Sequence, residues 1–220
     1  MERFFPAEKI LFTGNPIRQN LRDESITKEE AVKAFGLMPG KRTILFIGGS
    51  LGAQTLNESI LGNLPLVKQQ SRIQFIWQTG KYYSEYIQNE LARRGQPKNL
   101  VVQDFISDMR MAYAAADLVI SRAGAGSISE FCLLGKPVIL IPSPNVAEDH
   151  QTKNALALVQ KEAALFVKDA EARRTLLPLA INTVTDVEKL ESLSQHILQL
   201  ARPNAASDIA DEVIRLAQES

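Results

Sequence analysis

Cysteine is almost missing from this sequence: Cys132 is the one cysteine in 220 residues. That excludes an internal disulfide and a cysteine-cluster metal site, and it suits a reducing compartment. Charge of one sign is missing too, since 25 basic residues face 25 acidic ones. With no basic excess to displace condensed counterions, nucleic acid is not expected as the main partner. No apolar run approaches the length, about 18 residues, of a bilayer-spanning helix. Residues 1–9 are charged and Ile10–Phe12 is too short for a signal-peptide core. These absences predict a soluble, cytoplasmic protein. Internal repeats and low-complexity tracts are also lacking. What is present is a 45% hydrophobic fraction. That is enough to bury a core and excludes disorder as the main state.

The apolar residues are grouped in short runs. Thr43–Ile47, Ile73–Gln78, Leu100–Val102, Leu118–Ile120, Val138–Ile141 and Ala164–Val167 read as strands buried on both faces of a parallel sheet. Helical patterns separate them at 53–69, 82–94, 108–116, 127–134 and 150–161, and three more follow at 170–184, 187–201 and 205–218. The alternation predicts βαβ units wound by right-handed crossovers into a Rossmann-like, doubly wound α/β sheet. Upstream, Lys9–Thr13 is a candidate strand, broken by Gly14-Asn15-Pro16. Thr27–Phe35 is a candidate helix, with Thr27 as N-cap and Glu30 at the capping-box position.

In an open α/β sheet, ligands bind at the carboxyl ends of the strands. Four loops fall there. Gly48-Gly49-Ser50-Leu51-Gly52-Ala53 follows a strand and opens a helix, where bare backbone and a helix N-terminus suit phosphate. It is neither G-x-G-x-x-G nor a Walker loop, and the next strand ends in Gln78-Thr79-Gly80 rather than an acid, against a nicotinamide dinucleotide. The alternative is a tight turn without a ligand. Ser121 to Glu130 makes a second glycine-rich, helix-opening loop. Its Glu130 either receives a ribose diol or closes a capping box with Ser127. In Asp104–Asp108, Phe105 and Ile106 either flank a flat base or belong to the core. In Pro142–Asn154, Gln151 and Asn154 are amides able to read sugar hydroxyls, while His150 is a base or simply a helix-start residue. His196, inside a helical stretch, reads as surface.

Five segments together resemble the MurG family of N-acetylglucosaminyltransferases. They are Gly14–Arg18, Gly48–Ala53 with Leu56-Asn57, Ser121–Ala125, Ser129-Glu130 and Asp149–Ala155, in the family's order from residue 9 to about 167. The resemblance implies the C-terminal, donor-binding half of a GT-B glycosyltransferase that adds GlcNAc to lipid I to make lipid II. It implies UDP-GlcNAc as donor, no cofactor and no metal. Arg18 is then expected near the nucleotide, Ser50 on the diphosphate and Ile106 at the uracil through its backbone. Ala125, Gly126, Ser127, Ile128, Ser129 and Glu130 would line the phosphates and ribose, and Gln151 would hold the sugar. Gly126 departs from the family, where many members carry a bulky apolar residue, so a side-chain contact there is lost.

The same resemblance divides the chain into a leading linker at 1–20, a UDP-GlcNAc-binding domain at 21–200 and a final helix at 201–220. That helix would pack toward an N-terminal half. The acceptor site, the general base and any membrane contact, peripheral on the cytoplasmic face, are expected in that other half, which makes this piece inactive alone. Three other readings compete: the donor-binding subunit of a two-part lipid-linked GlcNAc transferase, a nonhydrolysing UDP-GlcNAc 2-epimerase, and a purely structural Rossmann-like module. The epimerase would spread its acid/base residues over two full domains.

Overall fold

Strand residues alternate between two apolar faces, and this alternation sets the layers of the fold. The structure, a computed structural model, describes residues 5–21, 25–145 and 149–219. Its strands are β1 Arg42–Ile47, β2 Ile73–Gln78, β3 Leu100–Gln103, β4 Leu118–Ser121, β5 Val138–Leu140 and β6 Leu165–Phe166. They form one sheet in the order β3-β2-β1-β4-β5-β6, and every neighbouring pair is parallel. Ile44 and Phe46 point to one face, Leu45 and Ile47 to the other, and all four are buried.

The helices are α1 Lys28–Ala34, α2 Gln54–Leu61, α3 Leu64–Gln69, α4 Ser84–Arg94, α5 Met109–Ala115, α6 Ala125–Leu134, α7 His150–Val159, α8 Asp169–Thr185, α9 Val187–Leu198 and α10 Ala205–Gln218. The face carrying Ile44, Phe46, Phe75 and Trp77 packs on α2, α3, α4 and α8. The face carrying Leu45, Ile47, Ile76 and Val119 packs on α1, α5, α6 and α7. The sheet is therefore covered on both sides, as a parallel sheet requires.

Two expected elements differ. Lys9–Thr13 is not a strand: a 3-10 turn covers Ala7–Lys9, and Leu11 and Phe12 are 61% and 73% exposed. They pair with no strand of the sheet, and the Phe12 ring instead meets the Arg202 guanidinium, 5.1 Å from its centroid. The single helix expected at 53–69 is two, because Gly62 ends α2 and Pro65 sits in the first turn of α3, where a missing N–H costs nothing.

The capping box at Thr27 is formed. The Glu30 N–H donates to Thr27 Oγ1 at 3.2 Å, and the Thr27 N–H donates to Glu30 Oε2 at 3.0 Å. The Thr27 hydroxyl, which donates to Glu30 Oε2 at 2.7 Å, and then the Thr27 N–H hold the Glu30 carboxyl below its ordinary range. Thr27→Ala is expected to lower stability by about 1 kcal/mol. Urea unfolding checks this, and an unchanged midpoint would mean that α1 is held by packing alone.

At the carboxyl end of the sheet β1 lies between β2 and β4, with Ile47 level with both Gln78 and Ser121. The loops leaving β1 and β4 turn to opposite faces, to α2 and α6. That is the topological switch point, where a crevice opens.

Candidate functional site

The crevice is a cleft of about 900 Å³, a size that suits a small organic ligand. On one side, residues 48–53 lead into α2, whose N-cap Ala53 has no side chain to cap it. Opposite, Ser121–Gly124 leads into α6, whose N-cap is Gly124, again without a side-chain cap. In each helix the first turn of N–H groups has no intrahelical acceptor, and the dipole adds partial positive charge. Two such ends opening onto one cleft make an anion site.

Glycine geometry brings the first loop into place. Gly52 has φ +85°, and Gly80, on the turn after β2, has φ +81°. A Cβ on Gly52 would lie 2.1 Å from the Thr79 carbonyl oxygen, so the two turns touch backbone to backbone. Lys81 N–H then donates to the Ser50 carbonyl at 3.3 Å. Behind them, Trp77 Nε1–H donates to Asn57 Oδ1 (2.9 Å) and Asn57 Nδ2 donates to the Thr79 carbonyl (2.9 Å), so this buried polar pair is satisfied. Gln78 joins two loops, since its Nε2 donates to the Gly49 carbonyl (3.0 Å) and its Oε1 accepts from the Ile106 N–H (2.9 Å).

Of the ten candidates named above, Arg18, Ser50, Ile106, Ser127, Glu130 and Gln151 line the cleft. Ala125, Gly126, Ile128 and Ser129 do not. For Ile128 the reason is helical phase, whereas Ala125 and Gly126 are exposed at the start of α6 and have only backbone N–H groups to offer. α6 starts at Ala125, so Ser127 and Glu130, three apart, share the cleft face, while Ile128 and Phe131 face the core. Ser129 instead receives Asn15 Nδ2 at 3.0 Å, tying the leading segment to α6. Arg18, which follows on that segment, is exposed at the rim of the cleft.

The Ser127–Glu130 capping box is not formed. Gly124 takes the cap position, so Glu130 sits in the second turn, and its Oε2 accepts from the Tyr113 hydroxyl at 2.7 Å. Phe105 and Ile106 separate: Phe105 is 45% exposed beside the cleft, and Ile106 is 3% exposed in the core with its N–H held by Gln78. Gln151 is oriented by two backbone donors, since its Oε1 accepts from Ala123 N–H (3.2 Å) and Ser143 N–H (2.9 Å). Its Nε2 is thereby left as the group a ligand would meet. Asn154 Nδ2 donates to the Ala123 carbonyl at 3.2 Å and supports the same loop. His150 is exposed at the start of α7, and His196 is half-buried with Nδ1 3.4 Å from Ser192 Oγ. The loop at 142–154 is described apart from residues 146–148, which lie outside the described residues, as do residues 1–4 of the leading segment.

Three groups escaped the sequence reading. Tyr113 lies on α5, in a run that reads as core, and only its hydroxyl reaches the cleft. Gln78 ends a buried strand. Arg122 pairs with Asp169 at the start of α8, and its Nη1 also donates to the Ile141 and Pro142 carbonyls at 3.1 and 3.2 Å. Asp169 accepts from Thr55 Oγ1 at 2.8 Å as well. The pair joins the ends of β4 and β5 to α2 and α8 and leaves no net charge on the cleft floor. Asp169 is therefore neutralised by Arg122, and among the described residues Arg18 is the other cation lining the cleft. A signal existed for Arg122 alone: an arginine at the end of a buried strand needs acceptors. Among the described residues, no group of three His, Cys, Asp or Glu side chains is placed to hold a metal ion. No helix among them is long and apolar enough to cross a membrane.

An all-parallel sheet in this strand order, with two helix N-termini opening onto a cleft at its switch point, is a Rossmann-like α/β domain, and it matches the C-terminal domain of a GT-B glycosyltransferase. The chain belongs to glycosyltransferase family 28: residues 43–213 match the model of the family's C-terminal domain. It is 61% identical, over its whole length, to the UDP-N-acetylglucosamine–N-acetylmuramyl-(pentapeptide) pyrophosphoryl-undecaprenol N-acetylglucosamine transferase of Bacteroides fragilis, and spans 58% of that protein. The MurG of Acinetobacter baumannii is similar in structure, with a TM-score of 0.71 and 28% identity over 96% of this chain and 58% of that one. A UDP-GlcNAc 2-epimerase of Neisseria meningitidis shares the fold, with a TM-score of 0.70 and 16% identity over 97% of this chain and 57% of that one.

Proposed function

We propose that the chain is the donor-binding half of an inverting transferase that moves GlcNAc from UDP-GlcNAc to lipid I, giving lipid II. The observation that carries this is the pair of uncapped helix N-termini facing each other across the cleft, with Glu130 beside one of them. In the transfer, the acceptor's 4-hydroxyl oxygen attacks the anomeric carbon, the bond from that carbon to the phosphate oxygen breaks, and UDP leaves with the electron pair. The hydroxyl proton goes to a general base that we assign to no residue of this chain. Charge growing on the diphosphate is met by N–H groups of α2 and α6, already aligned before the reaction. Ser50 and Arg18 add a hydroxyl and a cation.

The base, ribose and sugar take the remaining groups. The Ile106 carbonyl accepts the N3–H of uracil, since its N–H is already given to Gln78. Phe105 covers one side of the ring. Glu130 accepts from the ribose diol, and Gln151 Nε2 donates to a sugar hydroxyl. Within this reading residues 21–200 form the donor domain, residues 1–20 lead into it, and residues 201–220 belong to the contact with the acceptor-binding half. That half would hold lipid I and the cytoplasmic membrane face.

Calorimetric titration with UDP and UDP-GlcNAc tests the reading. Binding of both in buffer containing a chelator is expected, and no heat from either would overturn it. Gln151→Glu keeps the two backbone hydrogen bonds but removes the Nε2 donor. The preference for UDP-GlcNAc over UDP is expected to narrow about tenfold, the effect of one hydrogen bond with its partner left unpaired. An unchanged preference would remove Gln151 from the sugar.

A further inference from the structure

Tyr113 is 2% exposed, yet its hydroxyl is not in the core. It reaches the cleft wall and donates to Glu130 Oε2 at 2.7 Å, from α5 to α6. The ring is held on its other side by Phe131, edge to face, with centroids 5.9 Å apart and planes at 89°. A ring so packed cannot swing, so the hydroxyl is a fixed point. Burial pushes the phenol's pKa up, and the adjacent Glu130 pushes it further. The hydroxyl therefore stays a donor to the Glu130 oxygen it meets.

A glutamate has three side-chain torsions, and an unsupported one would spread its carboxylate over several orientations. Two neighbouring ribose hydroxyls need one orientation. We infer that Tyr113 is a positioning residue: by occupying Glu130 Oε2 it aims the carboxylate, with Oε1 turned to the cleft, and so sets the selectivity of the site for a ribose over a deoxyribose. This rests on the donor-binding reading above. It adds to that reading a residue that touches no ligand and a specificity that comes from it.

The test compares UDP with 2′-deoxy-UDP, titrated into the unsubstituted chain, Tyr113→Phe, Glu130→Ala and the double variant. Tyr113→Phe keeps the ring against Phe131 and removes only the hydroxyl, and a melting curve confirms that it is folded. The unsubstituted chain is expected to prefer UDP by about tenfold or more, as for a buried hydrogen bond to a charged group. In Tyr113→Phe the preference is expected to fall to about threefold or less, mainly through weaker UDP binding. The double variant should discriminate no worse than Glu130→Ala alone, because the two residues act as one unit.

A merely structural role predicts something else: both ligands weakened by the same factor and an unchanged ratio. That result would overturn the proposal and leave the donor reading standing. A parent chain that binds UDP and 2′-deoxy-UDP equally would remove Glu130 from the ribose, and the proposal with it. No binding of UDP to the parent chain would overturn the donor reading itself.

Discussion

Gly52→Ala is expected to destabilise the protein by about 2–5 kcal/mol and to abolish UDP binding. Two effects add. A non-glycine residue at the φ of +85° found here costs about 1–2 kcal/mol. The new Cβ would also stand 2.1 Å from the Thr79 carbonyl oxygen and 2.9 Å from a ring carbon of Tyr83. The tyrosine ring can shift. The carbonyl cannot, because Thr79 lies in the buried turn held by Asn57 and by the chain at Gln103. Overpacking of this kind adds roughly 1–3 kcal/mol.

Gly49 separates the two effects. Its φ is +86° and nothing lies within 4 Å of its Cβ position. Gly49→Ala should therefore show the conformational cost alone. Urea unfolding of both variants measures the difference, and equal losses would mean that the contact with Thr79 relaxes freely. Retained UDP affinity in Gly52→Ala would remove the 48–53 loop from the phosphate site.

The parts of the fold that were legible in the sequence share one property: burial on both faces. Ile44 to Ile47 and Ile73 to Trp77 read as central strands because runs so short, apolar on both faces and bounded by turn residues, suit a parallel sheet better than a helix. Lys9–Thr13 shows the limit of that argument. Ile10, Leu11 and Phe12 are apolar in the same way, but a strand needs an edge to pair with, and pairing lies outside the local pattern. The start of α6 shows a second limit. Ser127 and Glu130 have capping-box spacing, and at Thr27 and Glu30 the same spacing gives a real box. The difference is Tyr113, which is 17 residues from Glu130 and takes its carboxylate away. Gly124, with extended φ and ψ, then serves as cap.

The site was legible where it is made of backbone. Glycine-rich turns after buried strands announced both helix-opening loops, because close approach needs glycine wherever it occurs. It was illegible where a side chain acts on a group far from it in the sequence. Gln78, Tyr113 and the Arg122–Asp169 pair all work through partners brought near by the sheet order. Placing β4 beside β1 sets Ser121 level with Ile47 and so brings the two loops together.

Glu130→Ala should reduce UDP affinity by about 2–4 kcal/mol, roughly 30- to 1,000-fold, since a carboxylate accepting from two hydroxyls makes charge-assisted hydrogen bonds. The same change strands the Tyr113 hydroxyl at the cleft wall. An unsatisfied buried donor costs about 1–3 kcal/mol of stability, so the variant should also unfold earlier. Glu130→Gln tells the two losses apart. Its Oε1 can still accept from Tyr113, which restores stability, but its second group is now an amide donor facing hydroxyls that can only partly adapt. Affinity should stay well below that of the parent while the unfolding midpoint returns. Calorimetry and urea unfolding on the two variants read both quantities. Parental UDP affinity in Glu130→Ala would leave the carboxylate as a structural partner of Tyr113 and nothing more.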